Sequence, residues 1–151
     1  MMVVGRDGEP VRVLLVEDNP GDVRLIREAM REACFQNPLQ VARTGEEALG
    51  ILRESSEGST SIDLVLLDLN LPGLSGLEVL QEIKSNPALS RTPVVVLTSS
   101  QAEDDISRAY SLHANCYITK PVDLDGFLNI VQSIEQFWIC VVKLPMGMEE
   151  A

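Results

Sequence analysis

Five short apolar runs, each followed by a longer amphipathic stretch, constrain this chain more than any other feature. Residues 11–17 (VRVLLVE), 39–43 (LQVAR), 64–67 (LVLL), 93–99 (PVVVLTS) and 116–119 (CYIT) have the length and composition of buried strands. Between them lie segments whose apolar residues recur at helical spacing. Strands that are apolar throughout, alternating with helices, describe a parallel sheet covered on both faces. The expected fold is therefore α/β, a doubly wound five-stranded parallel sheet. At 151 residues and 45% apolar content there is material for one domain with a sizeable core. That domain is placed at residues 11–136, between an N-terminal extension (1–10) and an apolar extension of the last helix with its tail (137–151).

The helix starts carry capping chemistry. Asn19 precedes Pro20 and Asp22, an N-cap with a proline in the first turn. Thr44 with Glu47, Ser75 with Glu78, and Ser100 with Glu103 each have capping-box spacing. The last helix is expected to start near Asp123 and run to about Val142. The polar stretch SSEGSTS, residues 55–61, is expected to be a mobile loop.

Composition then excludes several functions. A net charge of −11 argues against a nucleic-acid surface, which needs clustered Lys and Arg. The opening MMVVGRDGEP lacks the long apolar region of a signal peptide, and no run approaches the ~20 apolar residues that span a bilayer. A cytoplasmic protein without a membrane anchor is expected. Cys34, Cys116 and Cys140 form no Cys-x-x-Cys pair and are read as reduced core thiols.

In an open parallel sheet, chemistry collects at the carboxyl ends of the strands beside a topological switch point. Here those ends carry Glu17 and Asp18, then Asp68, Thr98 and Lys120. If the strand order is 2-1-3-4-5, the ends of strands one and three are neighbours ~5 Å apart, so three acids, a hydroxyl and a lysine share one crevice. Any one of these residues alone is an ordinary cap, strand residue or surface charge. Carboxylates that close repel by several kcal/mol per pair, in order of magnitude, and stay ionised together only beside a cation. A water-accessible oxygen cluster suits Mg²⁺, which bridges carboxylates to phosphate oxygens. Lys120 precedes Pro121, where a cis peptide can aim a side chain back into a site.

These residues resemble the receiver domain of two-component response regulators. The likeness runs from Val11 to about Gln136. It rests on Glu17-Asp18, on LLDLNLPGLSG with Asp68, Pro72 and Gly76, on Thr98, and on Lys120-Pro121 with Tyr117 three residues before the lysine. The resemblance implies a flavodoxin-like receiver fold in which Asp68 accepts a phosphoryl group from a histidine kinase or phosphotransfer protein. Asp18 and Asp68 would bind Mg²⁺ directly, Asn70 through its main-chain carbonyl and Glu17 through water. Thr98 and Lys120 would contact the phosphoryl oxygens, Tyr117 would rotate as Thr98 moves, and Asn70 and Ser100 would tune self-hydrolysis. Taken alone, Tyr117 reads equally as a packing aromatic. The implied protein is a stand-alone, phosphorylation-controlled signalling domain with slow self-dephosphorylation, not an enzyme.

A phosphatase of the haloacid-dehalogenase type is the rival, since it also uses a strand-end Asp, a Thr, a Lys and an acidic pair. It would need an acid two residues after the nucleophile, where this chain has Asn70, and its acidic pair would come last rather than first. A nucleotide- or flavin-binding module fails on the absence of a Gly-rich turn after the first strand.

Output is expected from the tail, where FWICVV adds six apolar residues before KLP. Phe137, Trp138, Ile139 and Val141 exceed what one helix face buries against its own sheet, which points to a dimer or partner surface; folding back on the core is the alternative. EDNPGD and the tail together resemble the small receivers that partner cyanobacterial phytochromes. That likeness implies a phytochrome-like kinase and a homodimer formed through the fourth and fifth βα units. Arg24, Arg27 and Arg31 lie along the first helix, but alternate with Glu28 and Glu32 as a paired, solvated face does. The single histidine, His113, reads as a helix-end residue rather than a ligand.

Overall fold

The computed structural model describes residues 10–57 and 61–137. Strands β1 (Val13–Val16), β2 (Leu39–Ala42), β3 (Leu64–Leu67), β4 (Val94–Thr98) and β5 (Cys116–Thr119) alternate with helices α1 (Pro20–Glu32), α2 (Gly45–Glu57), α3 (Gly76–Ser85), α4 (Glu103–Ser111) and α5 (Leu124–Phe137). All neighbouring strands are parallel, in the order β2-β1-β3-β4-β5. The run LVLL is thus the central strand, and the doubly wound, flavodoxin-like order expected from the sequence is the one adopted.

The described residues form two compact units. One contains residues 12–20 and 39–120, hence the whole sheet with α2, α3 and α4. Its core joins Leu14, Val16, Val65, Leu67, Val94 and Val96 to Leu49, Leu52, Val79, Leu80, Ile83 and Ala109. Strand residues of the opposite parity, Val13, Leu15, Leu66, Val95 and Leu97, are also buried, which explains why the central runs are apolar throughout rather than alternating. Each such side chain contributes roughly 1.5–3 kcal/mol by leaving water, enough in sum to hold strained or charged groups at the strand ends.

The second unit contains residues 21–38 and 121–137 with Val11. Its buried apolar residues follow helical spacing: Ile26, Ala29 and Met30 on α1, and Phe127, Val131 and Ile134 on α5. Arg24, Arg27 and Arg31 are exposed on α1, and Arg31 pairs with Glu28 at 2.8 Å, as a solvated face would. After α1, Cys34 takes a left-handed conformation (φ 56°), with Cys34 N–H bonded to Arg31 O and Phe35 N–H to Met30 O. In the sheet unit α4 ends the same way: His113 has φ 69°, and its N–H and that of Ala114 reach Tyr110 O and Ala109 O. Both are Schellman ends, so His113 is the helix-end residue expected.

Three expectations need correction. Ser55, Ser56 and Glu57 continue α2 instead of opening a loop, and Ser55 Oγ accepts a hydrogen bond from Ile62 N–H at 2.7 Å. Cys34 is exposed and Cys116 half-buried, so neither is a core thiol, because one sits at a helix end and the other on an edge strand; Cys140 lies outside the described residues. Ser100 does not cap α4, whose N-cap is Ala102 with no side-chain bond. The boxes at Thr44 and Ser75 do form: Glu47 N–H reaches Thr44 Oγ1 at 3.1 Å, and Glu78 N–H reaches Ser75 Oγ at 3.2 Å. Trp138, Ile139 and Val141 of the expected tail surface, and the side chain of Phe137, lie outside the described residues. Among those residues no helix is long and apolar enough to cross a membrane.

Candidate functional site

The sheet ladder continues one residue past three strands, and those residues carry the charge. Glu17 N–H bonds Ala42 O at 2.9 Å, Asp68 N–H bonds Val16 O at 3.0 Å, and Lys120 N–H bonds Thr98 O at 2.8 Å. Their main chains are therefore fixed by the sheet while their side chains stand at its carboxyl edge. Lys120 Nζ lies 2.6 Å from Glu17 Oε1 and 3.0 Å from Asp68 Oδ2. No peptide bond among the described residues is cis, so Lys120 reaches the site across a trans Lys120–Pro121 bond, against the expectation.

Asp18 completes the cluster. One carboxylate oxygen from each of Glu17, Asp18 and Asp68 lies within 4.8 Å of the others. The crevice is less open than expected: Glu17 is 1% and Asp68 3% exposed, and only Asp18 faces solvent. The Lys120 ammonium, held against both acids, closes the inner part. Burial, followed by the charge of Asp68, pushes the Glu17 carboxyl up to about 7, and the bond from Lys120 opposes that shift without cancelling it. Three carboxylates and one lysine leave a surplus of negative charge on hard oxygen donors, and this is the donor set a small divalent cation takes.

The remaining predicted residues continue from Asp68 in a chain. Asn70 N–H bonds Asp68 Oδ1 at 3.1 Å, and Asn70 Nδ2 stands 3.5 Å from Thr98 Oγ1. Thr98, fully buried at the end of β4, takes a second long contact from Ser100 N–H at 3.4 Å. Ser100 then joins two groups: its Oγ donates to Asp105 Oδ2 at 2.5 Å, and its carbonyl accepts the Tyr117 hydroxyl at 2.8 Å. Burial raises the Tyr117 pKa, and the charges of Asp105 and Asp68 add to the effect. Glu17, Asp18, Asp68, Asn70, Thr98, Ser100, Tyr117 and Lys120 thus share one end of the sheet.

Two local devices hold the loop after β3. Pro72-Gly73 bends the chain, with Gly73 in a left-handed conformation (φ 71°) that favours glycine. Gly76 N–H bonds Leu69 O at 3.0 Å, and a Cβ at Gly76 would collide with the main chain of Asp68 and Leu69. Sequence reasoning missed Asp105. Its signal was an acid too many: Glu103, Asp104 and Asp105 all fall in the first turn of α4, where a capping box uses only one.

Comparison with known proteins gives a consistent result. Residues 13–132 match the response regulator receiver domain. Response regulator Rcp1 of Synechocystis sp. is 46% identical over 138 residues, 90% of this chain and 94% of that protein. The phosphorylated cyanobacterial phytochrome response regulator RcpA superposes with a TM-score of 0.79 at 47% identity, over 87% of this chain and 96% of its own. The Mn²⁺-bound form of Rcp1 gives 0.78 at 46%, over 88% and 97%. With the strand order, the strand-end residues and the extent of these matches in agreement, the chain belongs to the response regulator receiver domain family, among relatives of the cyanobacterial phytochrome response regulators.

Proposed function

We propose that Asp68 is the phosphoacceptor of a two-component pathway, taking its phosphoryl group from a histidine kinase or phosphotransfer protein. The observation that carries this reading is the setting of the Asp68 carboxylate. It ends the central strand, with Oδ2 against Lys120 and Oδ1 against Asn70 N–H, beside two further acids. An Asp68 oxygen attacks phosphorus in line; a P–O bond forms as the P–N bond to the donor imidazole breaks, and the imidazole leaves with the electron pair. Asp68 needs no base, because the carboxylate is already the nucleophile. Lys120 neutralises charge on the phosphoryl oxygens, and the Thr98 hydroxyl, in contact with Asn70 and Ser100 only at 3.5 and 3.4 Å, turns towards them.

The acidic cluster fits Mg²⁺, and the existence of a Mn²⁺-bound form of Rcp1 supports a divalent ion here. Asp18 and Asp68 would hold the ion directly, Asn70 through its main-chain carbonyl and Glu17 through water. When bound it supplies positive charge to the phosphoryl oxygens. The product is a mixed anhydride that water attacks, at a rate tuned by Asn70 beside Asp68 and by Ser100 two residues past Thr98. The likeness to RcpA, a phytochrome response regulator, supports a phytochrome-like kinase as donor. Output follows as altered partner binding or self-association.

Incubation with acetyl phosphate tests the reading. With Mg²⁺ the chain should gain a single phosphoryl group and release phosphate slowly, and EDTA should prevent the gain. Absence of incorporation with Mg²⁺, or sustained rapid turnover of a phosphatase substrate, would overturn it.

A further inference from the structure

The two residues that flank Ser99 are held very differently. Thr98 Oγ1 is touched at 3.5 Å by Asn70 and at 3.4 Å by Ser100 N–H, both at the long limit of a hydrogen bond. Ser100 is gripped at 2.5 Å by Asp105 and at 2.8 Å by Tyr117. The grip comes at the expense of the helix: α4 starts without a side-chain cap, a loss of roughly 1 kcal/mol, and the serine that sequence spacing assigns to capping binds an acid five residues on. A bond from an ionised acceptor is the stronger kind, so the Ser100–Asp105 link is the firm point of the turn and Thr98 the loose one.

We propose that Asp105 is a positioning residue for the phosphorylation site: by clamping Ser100 it fixes the turn between β4 and α4, presents the Ser100 carbonyl to Tyr117, and leaves the Thr98 hydroxyl as the loosely held group. This rests on Asp68 as the acceptor. The clamp orders the turn that follows Thr98 before the phosphoryl group arrives, so the ordering is not demanded at the moment of transfer. It also joins the site to the first turn of α4 through a side chain, alongside the Tyr117 hydroxyl.

Full-length protein labelled with 3-fluorotyrosine in a Tyr110→Phe background reports Tyr117 alone, since the chain has two tyrosines. Without phosphodonor, Ser100→Ala and Asp105→Ala should each shift the Tyr117 fluorine resonance, and the double variant should shift it no further than either single. Asp105→Asn, which keeps an acceptor oxygen, should stay near the parent position. With acetyl phosphate and Mg²⁺, Asp105→Ala should be phosphorylated at least threefold more slowly and Asp105→Asn within twofold of the parent. An unmoved resonance in Asp105→Ala, additive shifts in the double variant, or an unchanged rate would overturn the inference. The resonances need no phosphorylation, so they test the clamp even if Asp68 is not the acceptor; failure of the parent to be phosphorylated would count against that reading instead.

Discussion

The loops that follow β3 and β4 border the same charged site but are built in opposite ways. The first is held by its own backbone: a Pro-Gly turn, the Gly76 N–H to Leu69 O bond, and a Ser75 cap on α3. The second has no proline, no cap and no glycine, and is held by side chains that reach Ser100 from α4 and β5. A backbone-built loop is stiff and keeps Asp68 where the sheet places it. A loop tied by side chains can be reset by changing a single bond, which suits the part that responds to chemistry.

The largest effect should come from breaking the stiff loop. Gly76→Ala drives a Cβ into the main chain of Asp68 and Leu69, and should cost about 3 kcal/mol in urea unfolding and slow phosphorylation. A stability loss below about 0.5 kcal/mol would mean that the first loop yields as readily as the second.

A stiff loop must also hold Asp68 against Glu17 whatever the charge between them. The folded-state pKa of Glu17 is raised from 4.5 to about 7, so the folded chain binds more protons than the unfolded chain in that window. Stability without metal should therefore be greatest below pH 4.5 as far as Glu17 is concerned, and fall by about 3 kcal/mol as pH rises from 4.5 through 7. Thermal unfolding in EDTA should show this slope, Glu17→Gln should remove it, and added Mg²⁺ should flatten it by offsetting the repulsion. A slope of the same size in Glu17→Gln would place its origin elsewhere.

Smaller changes separate the two loops further. Ser75→Ala should cost about 1 kcal/mol through loss of the α3 cap and leave Tyr117 undisturbed. The far end of α4 serves as a control: His113→Gly relieves a left-handed conformation and should stabilise by about 0.5 to 1 kcal/mol, with phosphorylation unchanged. A changed phosphorylation rate in His113→Gly would show that the whole helix, not its first turn, is coupled to the site.

The same contrast explains what could be read from the sequence. The three central strands were legible because burial on both faces leaves an unmistakable apolar run, the half-exposed edge strands β2 and β5 because they fall in the same alternation with helices, and Asp68 because an acid interrupts one of the buried runs. The capping boxes at Thr44 and Ser75 were legible because a box is a local, three-residue relation. Ser100 had the same local spacing, yet its partners are Asp105 in the first turn of α4 and Tyr117 on a neighbouring strand, and only tertiary structure decides between such competitors. The Lys120 bridge to Glu17 was likewise hidden: three acids near one lysine say that a pairing exists without saying which. Glu17, Asp18, Asp68, Thr98 and Lys120 were legible for a simpler reason, since each stands at the end of a strand or just beyond it.

The central claim, that Asp68 carries the phosphoryl group, is tested most directly by intact mass after treating wild type and Asp68→Asn with acetyl phosphate and Mg²⁺. The wild type should gain the mass of one phosphoryl group and the variant none. Equal labelling of the variant would contradict the assignment.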